Sequence, residues 1–181
     1  MNFKFSYTPI EGLVVIEPTV YGDDRGYFME CFRESDYAEA GIPTRFVQEN
    51  ESMSARAVLR GLHFQRTESQ AKLVRVVSGA LLDVAVDLRE GSTTYGKWHA
   101  ELLSAKNRRQ MFIPEGFAHG FLALENDTRL NYKCSRYYAP QDEDGIAWND
   151  PTLAIDWQLE RWGIELSELI ISEKDRKWPN L

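Results

Sequence analysis

Apolar and polar residues alternate with a period of two along many short stretches of the chain, and turn-forming residues separate one stretch from the next. This pattern is typical of β-strands that bury one face. The strands that it predicts cover 13–16, 27–32, 72–77, 81–88, 110–113, 120–124 and 129–138. Because only a short turn with Gly79 separates 72–77 from 81–88, these two are expected to form a hairpin. Helix is expected over 35–40, ended by Gly41-Ile42-Pro43, and at the C-terminus.

Many short strands with regular turns favour an all-β sandwich or barrel, and the strand over 81–88 narrows the choice. Its Leu and Val residues share one face, whereas Asp83 and Asp87 share the other. Either a second sheet or a partner subunit covers the outer face, or the interior is polar and holds a ligand. We favour both together, a double-sheet jelly roll with a charged cavity. In the alternative, the two aspartates face solvent on an edge strand.

Length and composition limit the possible classes of protein. A chain of 181 residues is expected to form one domain over 1–181. Its net charge of −7 excludes a generally basic nucleic-acid-binding surface. No apolar run is long enough to span a membrane, and the first residues lack the apolar core of a signal peptide. Cys31 and Cys134 are too few for a disulfide scaffold, so a cytoplasmic protein is expected.

Three histidines are candidates for acid–base or metal chemistry. His63 and His119 lie near glycines in strand-like segments, where a ligand or another backbone can come close. His99 follows Trp98 in a strand that looks exposed and is taken as a structural residue. Arg60 and Lys72 flank His63 and bring positive charge to one region. A lone histidine is nevertheless more often a structural residue than a catalyst.

A metal site is the alternative use of these histidines. Metal-binding barrels of this kind often hold an H-x-H pair, a glutamate and a later histidine, but Gln65 takes the second position here. Glutamine is a poor ligand for zinc or iron, which leaves His63 and His119 as nitrogen donors. A site of these two with Glu68 or Asp83 stays open, although metal-free acid–base chemistry is favoured.

Two tyrosines on one predicted strand suggest an extended ligand. Tyr132 and Tyr138 have the same parity over 129–138, which puts them about 20 Å apart on one face. That distance suits a ligand of nucleotide size, with one tyrosine near the chemistry and the other stacked on a ring. Ordinary core aromatics explain the spacing equally well.

Two further motifs each have two interpretations. Arg25 and Arg60 are either solvated or paired with acids, or they bind a diphosphate through paired hydrogen bonds. Ser172-Glu173-Lys174-Asp175 has the spacing of a capping box before a helical turn. Spacing alone leaves open whether Asp175 is structural or catalytic.

Taken together, the motifs along the chain resemble those of one family. In order they are DRGYF (24–28), FVQEN (46–50), LRGLHFQ (59–65), KLVRV (72–76), DVAVDLR (83–89), YGKW (95–98), PEGFAHGF (114–121), YKC (132–134) and GIAWNDP (145–151). Their order and spacing resemble the dTDP-4-dehydrorhamnose 3,5-epimerase family of cupin-fold sugar-nucleotide enzymes.

The resemblance implies a fold and an activity. The fold is a cupin-type jelly-roll barrel with short peripheral and C-terminal helices, assembled as a homodimer without metal or cofactor. The activity is epimerisation of dTDP-4-keto-6-deoxyglucose at C3 and C5, giving dTDP-4-keto-L-rhamnose for dTDP-rhamnose biosynthesis in the cytoplasm. A related epimerase that inverts a single centre and a non-catalytic sugar-nucleotide-binding cupin are the alternatives, and a metal cupin oxygenase is a weaker one.

The resemblance also implies roles for individual residues. His63 corresponds to the base, Asp175 to its partner and Tyr132 to the acid, while Lys72 is the candidate that stabilises an enolate. Tyr138 corresponds to the residue that stacks on the thymine ring, and Asp83 to an acid that supports Lys72 and His119. The other substrate-binding positions are Arg25, Glu30, Gln48, Asn50, Arg60, His119, Glu143 and Lys174.

Two positions and one segment depart from the family pattern. Glu49 replaces a common aspartate, and Thr93 replaces a common proline. The segment 158–171 is longer than the usual connection to the motif that follows it. The placement of Lys174 and Asp175 is therefore left to the structure.

Overall fold

The computed structural model describes residues 2–42 and 45–181, so Pro43 of the expected helix end lies outside the described residues. The strands in this part of the chain are β1 (Phe3–Tyr7), β2 (Val14–Pro18), β3 (Val20–Asp23), β4 (Gly26–Met29), β5 (Gln48–Ser54), β6 (Val58–Gln65), β7 (Lys72–Ser78), β8 (Ala80–Asp87), β9 (Trp98–Ser104), β10 (Gln110–Ile113), β11 (Phe117–Ala123), β12 (Thr128–Cys134), β13 (Glu143–Gly145) and β14 (Ile170–Ile171). The helices are α1 (Glu34–Glu39) and the 3₁₀ turns Pro140–Asp142, Glu160–Trp162, Leu166–Glu168 and Asp175–Lys177.

Two facing sheets form the predicted barrel. The first has the order β1-β2-β10-β7-β12-β5, and the second has the order β13-β6-β11-β8-β9 with β14 beside β6. Apart from the parallel β14–β6 pair, the strands within each sheet are antiparallel. Side chains of both sheets, such as Met111 and Leu103, pack in one cluster between them. The all-β, cupin-type jelly-roll prediction is confirmed, and β3 and β4 form a separate hairpin.

The predicted hairpin of 72–77 and 81–88 is wrong. β7 pairs with β10 and β12 in the first sheet, whereas β8 pairs with β9 and β11 in the second. The chain crosses between the sheets at Gly79, where φ is +73° and a Cβ would lie 2.4 Å from Thr128 Oγ1. A tight glycine turn has the same sequence pattern whether the two strands pair or face each other across a barrel.

Strand β8 is buried on both faces. Asp83 and Asp87 are fully buried, so the alternative of a solvent-facing edge strand is wrong. On the opposite face, Val84 belongs to one buried cluster with Trp157 and Ile164. The cover is therefore the later part of the same chain, rather than the second sheet or the partner subunit that the pattern suggested.

Several elements differ from the predicted pattern. β5 was not predicted, because its cavity-facing residues Gln48, Asn50 and Ser52 are polar and mask the usual alternation. β12 ends at Cys134, so Tyr138 follows the strand instead of lying on it. The helix predicted over 35–40 is present as α1.

Among the described residues, no helix combines the length and the apolar character that a membrane crossing requires.

Candidate active site

A cavity of about 460 Å³ opens between the two sheets. Strands β5, β6, β7, β11 and β12 contribute side chains to its wall. Nine of the predicted site residues line it, namely Gln48, Asn50, Arg60, His63, Lys72, His119, Tyr132, Tyr138 and Glu143. The sheets thus gather residues that are up to 95 positions apart in the chain.

Two glycines bring β6 and β11 close enough to set His63 beside His119. The two histidines are directly paired across these strands. A Cβ at Gly61 would lie 2.6 Å from Gly120 Cα, and a Cβ at Gly120 would lie 2.6 Å from the Arg60 carbonyl oxygen. The glycines near each histidine therefore serve a close backbone approach, one of the two uses that the sequence indicated.

His63 is held by Asp175. Its Nε2 lies 2.6 Å from Asp175 Oδ1, and the Gly61 N–H donates to Oδ2 at 3.3 Å. Burial acts to raise the pKa of Asp175, but the hydrogen bonds from His63, Gly61 and Trp178 outweigh it and hold that pKa below its ordinary value. An ionised Asp175 favours the imidazole tautomer with the proton on Nε2, which leaves Nδ1 as a proton acceptor.

His119 forms a second pair with Asp83. Its Nε2 lies 2.8 Å from Asp83 Oδ1, and Asp83 Oδ2 has no hydrogen-bond partner in the part of the chain that the structure describes. Burial lowers the pKa of Lys72, and the charges of Cys134, Asp83 and Glu143 oppose this change. Each cavity histidine thus has its own aspartate.

Tyr132 approaches from the first sheet. It lies on β12 opposite Asn50 of β5, whereas His63 lies on β6 of the second sheet. Burial raises the pKa of the Tyr132 phenol above its ordinary value, so the phenol is protonated at neutral pH. A proton acceptor and a proton donor therefore reach one cavity from two different sheets.

Glu143 is hydrogen-bonded to Tyr138 and Lys174 at the edge of the cavity. The Tyr138 hydroxyl and Lys174 Nζ both donate to Glu143 Oε2 at 2.5 Å. The Tyr138 N–H also donates to Gln48 Oε1 at 2.9 Å. The hydrogen bond to Glu143 raises the pKa of Tyr138 to about 12. Tyr138 is half exposed.

The long segment 158–171 does not displace the motif Ser172-Glu173-Lys174-Asp175 that follows it. The segment crosses the outer face of the barrel, where Ile164 and Leu169 are buried, and returns as β14 beside β6. The Asp175 carboxylate then contacts His63, and the backbone N–H of Asp175 donates to Ser172 Oγ at 3.1 Å. One motif therefore begins a helical turn and also supplies a site residue.

Two predicted site residues lie elsewhere within the described chain. Arg25 is in the β3–β4 hairpin, where its side chain is 90% exposed and pairs with Asp23 at 2.5 Å. Glu30 follows this hairpin and pairs with Arg33 at 3.0 Å. Neither residue lines the cavity of its own chain.

The sequence analysis assigned no role in the site to Phe121 and Trp178. Phe121 lines the cavity from β11 and was noticed only as part of a motif. The Trp178 indole packs against His63, with ring centroids 6.1 Å apart. Its position three residues after Asp175, one turn of a helix away, is the signal that could have found it.

Comparison with known proteins identifies the family of the chain. A model of the family described as dTDP-4-dehydrorhamnose 3,5-epimerase matches residues 7–181. The chain belongs to this family. The resemblance and the type of enzyme inferred from the sequence, a carbohydrate epimerase, are confirmed.

Individual members of the epimerase family match along nearly their whole length. The dTDP-4-dehydrorhamnose 3,5-epimerase of Methanothermobacter thermautotrophicus is 57% identical over 180 residues, which cover 99% of this chain and 95% of that protein. The crystal structure of the enzyme from Elizabethkingia anophelis has a TM-score of 0.93 at 43% identity, covering 100% of this chain and 97% of that one. A Legionella pneumophila enzyme in complex with dTDP-4-keto-L-rhamnose has a TM-score of 0.92 at 45% identity, with 98% and 92% covered.

Proposed function

We propose that this epimerase acts on dTDP-4-keto-6-deoxy-D-glucose and inverts C3 and C5, giving dTDP-4-keto-L-rhamnose for dTDP-rhamnose biosynthesis. The observation that carries the proposal is the pair of groups in one cavity, the Asp175-bound imidazole of His63 and the half-buried phenol of Tyr132 on the facing sheet. The complex of the Legionella relative with this product supports the choice of substrate.

His63 is the base. The C4 ketone acidifies the protons on C3 and C5, because the negative charge left at either carbon spreads onto the ketone oxygen. His63 Nδ1 accepts such a proton, and the Asp175 carboxylate on Nε2 stabilises the imidazolium that results. The Lys72 side chain lies in the cavity, and its ammonium group has no hydrogen bond to another described residue. It is the cation that stabilises the enolate.

Tyr132 is the acid. Inversion needs a proton from the face opposite the base, and Tyr132 belongs to the sheet opposite His63. The raised pKa keeps its proton available at neutral pH. The two residues together explain how each centre is deprotonated on one side and reprotonated on the other.

The remaining residues bind and orient the nucleotide. Arg60 is the cavity guanidinium that contacts the diphosphate, and Lys174 adds charge at the edge. The half-exposed Tyr138 ring stacks on the thymine. Gln48, Asn50, His119 and Glu143 line the cavity and complete the binding set. Binding of these remote groups orients the sugar between base and acid.

The working form is a homodimer. Arg25 and Glu30 do not reach the cavity of their own chain, and the hairpin between them presents the exposed rings of Tyr27 and Phe28. Exposed neighbouring aromatic side chains of this kind are typical of protein interfaces. A second copy would cover these rings and bring Arg25 and Glu30 to the partner's cavity. The two free cysteines support a cytoplasmic location.

One incubation tests the proposed reaction. The protein is mixed with dTDP-4-keto-6-deoxy-D-glucose in deuterium oxide, and the sugar is analysed by NMR. Deuterium at both C3 and C5 is expected. Deuterium at one carbon indicates a single-centre epimerase, and none indicates a binding protein without this activity. Either result would overturn the proposal.

A further inference from the structure

The C-terminal tail returns to the His63–Asp175 pair. The Trp178 indole N–H donates to Asp175 Oδ1 at 3.2 Å, and this is the same oxygen that lies 2.6 Å from His63 Nε2. The indole also meets the imidazole edge to face, at an interplanar angle of 71°. Trp178 therefore contacts both members of the pair.

The Trp178 indole packs directly against the backbone of Gly145. Gly145 of β13 is paired with His63 of β6. A Cβ on Gly145 would lie 2.4 Å from two indole carbons of Trp178, so any larger residue would push the ring away. The backbone φ of Gly145 is not in the left-handed region, so its conformation does not require a glycine. The space that the Trp178 indole occupies does.

Two hydrogen bonds hold the residues after Trp178, 179–181, in place. The Ala147 N–H donates to the Pro179 carbonyl oxygen at 2.8 Å, and the Leu181 N–H donates to the buried Asp150 Oδ2 at 2.7 Å. Lys174 Nζ lies 5.6 Å from the centre of the indole ring. The last residues of the chain are thus held in the position that presents the indole N–H to Asp175.

We propose that Trp178 is a positioning residue for the base of this epimerase, acting through Asp175. Its N–H fixes the carboxylate oxygen that orients His63, and its ring limits rotation of the imidazole. The inference rests on the proposed function, because it assigns Trp178 to the machinery of that reaction. Trp178 itself does not line the cavity that holds the reacting atoms.

The shared oxygen has a consequence for pH dependence. Two donors on Oδ1 divide its negative charge, so the indole N–H weakens the attraction between Asp175 and an imidazolium at His63. Without the indole N–H, the imidazolium is more stable and the base stays protonated to higher pH. The other charged and titratable groups that face His63 remain in place, namely Arg60, Lys72, His119, Tyr132, Glu143 and Lys174.

The variant Trp178→Phe tests the proposal, because it removes the N–H and keeps an aromatic ring. We expect kcat for deuterium wash-in to fall about 10-fold, as for the loss of one hydrogen bond to a charged group, with KM little changed. The acid limb of the pH–rate profile should move to higher pH.

Trp98→Phe is the matched control. Trp98 Nε1 also donates one hydrogen bond, to the Leu153 carbonyl oxygen at 2.9 Å, but this contact lies in the layer outside the barrel. We expect this variant to retain the wild-type kcat and pH profile. Thermal unfolding of both variants, followed by circular dichroism, reports any loss of structure.

The outcomes separate this inference from the proposed function. Absence of wash-in with the wild-type protein overturns the proposed function. Normal wash-in by the wild type together with an unchanged kcat and acid limb in Trp178→Phe overturns the positioning role. A reduced kcat with an unshifted acid limb and a lower Tm also overturns it, because that combination indicates a structural role alone.

Discussion

Asp175 accepts three hydrogen bonds in a site that burial makes unfavourable for a charge. His63 and Trp178 share its Oδ1, and the Gly61 N–H meets its Oδ2. The three donors together offset the cost of burying the carboxylate. The first residue of the 3₁₀ turn Asp175–Lys177 is in this way the partner of a histidine more than 100 positions earlier.

Replacing His63 tests the base at the scale of one residue. In His63→Ala, deuterium wash-in at C3 and C5 should fall by about 10²- to 10⁴-fold, the usual contribution of a general base. Binding of dTDP, measured by calorimetry, should survive. His99→Ala is the control, because His99 pairs with Glu101 outside the cavity. Undiminished wash-in in His63→Ala would remove this residue from the role.

Replacing Tyr132 tests the acid. In Tyr132→Phe, the base can still remove protons, so exchange should persist while the stereochemical outcome is impaired or misdirected. The product is analysed by NMR. Tyr137→Phe, in which an exposed tyrosine outside the cavity loses its hydroxyl, should behave as wild type. An unchanged product from Tyr132→Phe would refute the assignment.

At the scale of elements, the contact between β6 and β11 decides whether the two histidines share a cavity. Gly61 adopts φ +109° and lies against the backbone of Gly120. Both strands are otherwise rich in large side chains such as Leu62 and Phe121, which pack on either side of the sheet. The glycines are therefore the points at which the two backbones approach.

Gly61→Ala should destabilise the fold through this contact. We expect a loss of about 3 kcal/mol or more in the free energy of unfolding, because the new Cβ meets backbone atoms as well as an unfavourable φ. Gly91→Ala is the control, since Gly91 has φ +77° but nothing within 4 Å of a Cβ, and should cost about 1 kcal/mol. Equal losses, measured by urea unfolding, would contradict the argument from the contact.

Sequence patterning predicted individual elements better than their partners. Alternation located seven of the fourteen strands in the described chain, because side-chain direction along a strand is a local property. It failed for β5, where inward-facing positions are polar because they line the cavity. It also assigned β7 and β8 to a hairpin, because pairing across a barrel is decided by strands far away in the chain.

At the scale of the whole molecule, the exposed rings of the β3–β4 hairpin test the homodimer. Phe28→Asp should convert a species of two chains into one of a single chain, as measured by light scattering, because a charge replaces a 68% exposed ring at the proposed interface. Activity should fall with it, since Arg25 and Glu30 would no longer reach the partner's cavity.

The matched control is Leu166→Asp. Leu166 is 66% exposed on the segment that covers the outside of the barrel, away from the hairpin. It should leave both the mass and the activity unchanged. A wild-type protein that is already a single chain in solution would contradict the homodimer, and so would a Phe28→Asp variant with the mass of two chains.

The sequence by itself determined the all-β class, the barrel, the family and the residue types of the site, because these follow from local alternation and from motifs in a fixed order. Only the tertiary structure decided that the Trp178 indole shares Asp175 with His63, that the chain's own later segment covers β8, and that Arg25 and Glu30 lie outside their own cavity. These are contacts between distant parts of the chain. They depend on how the sheets pack, and the packing of the sheets does not follow from the spacing of residues in the sequence.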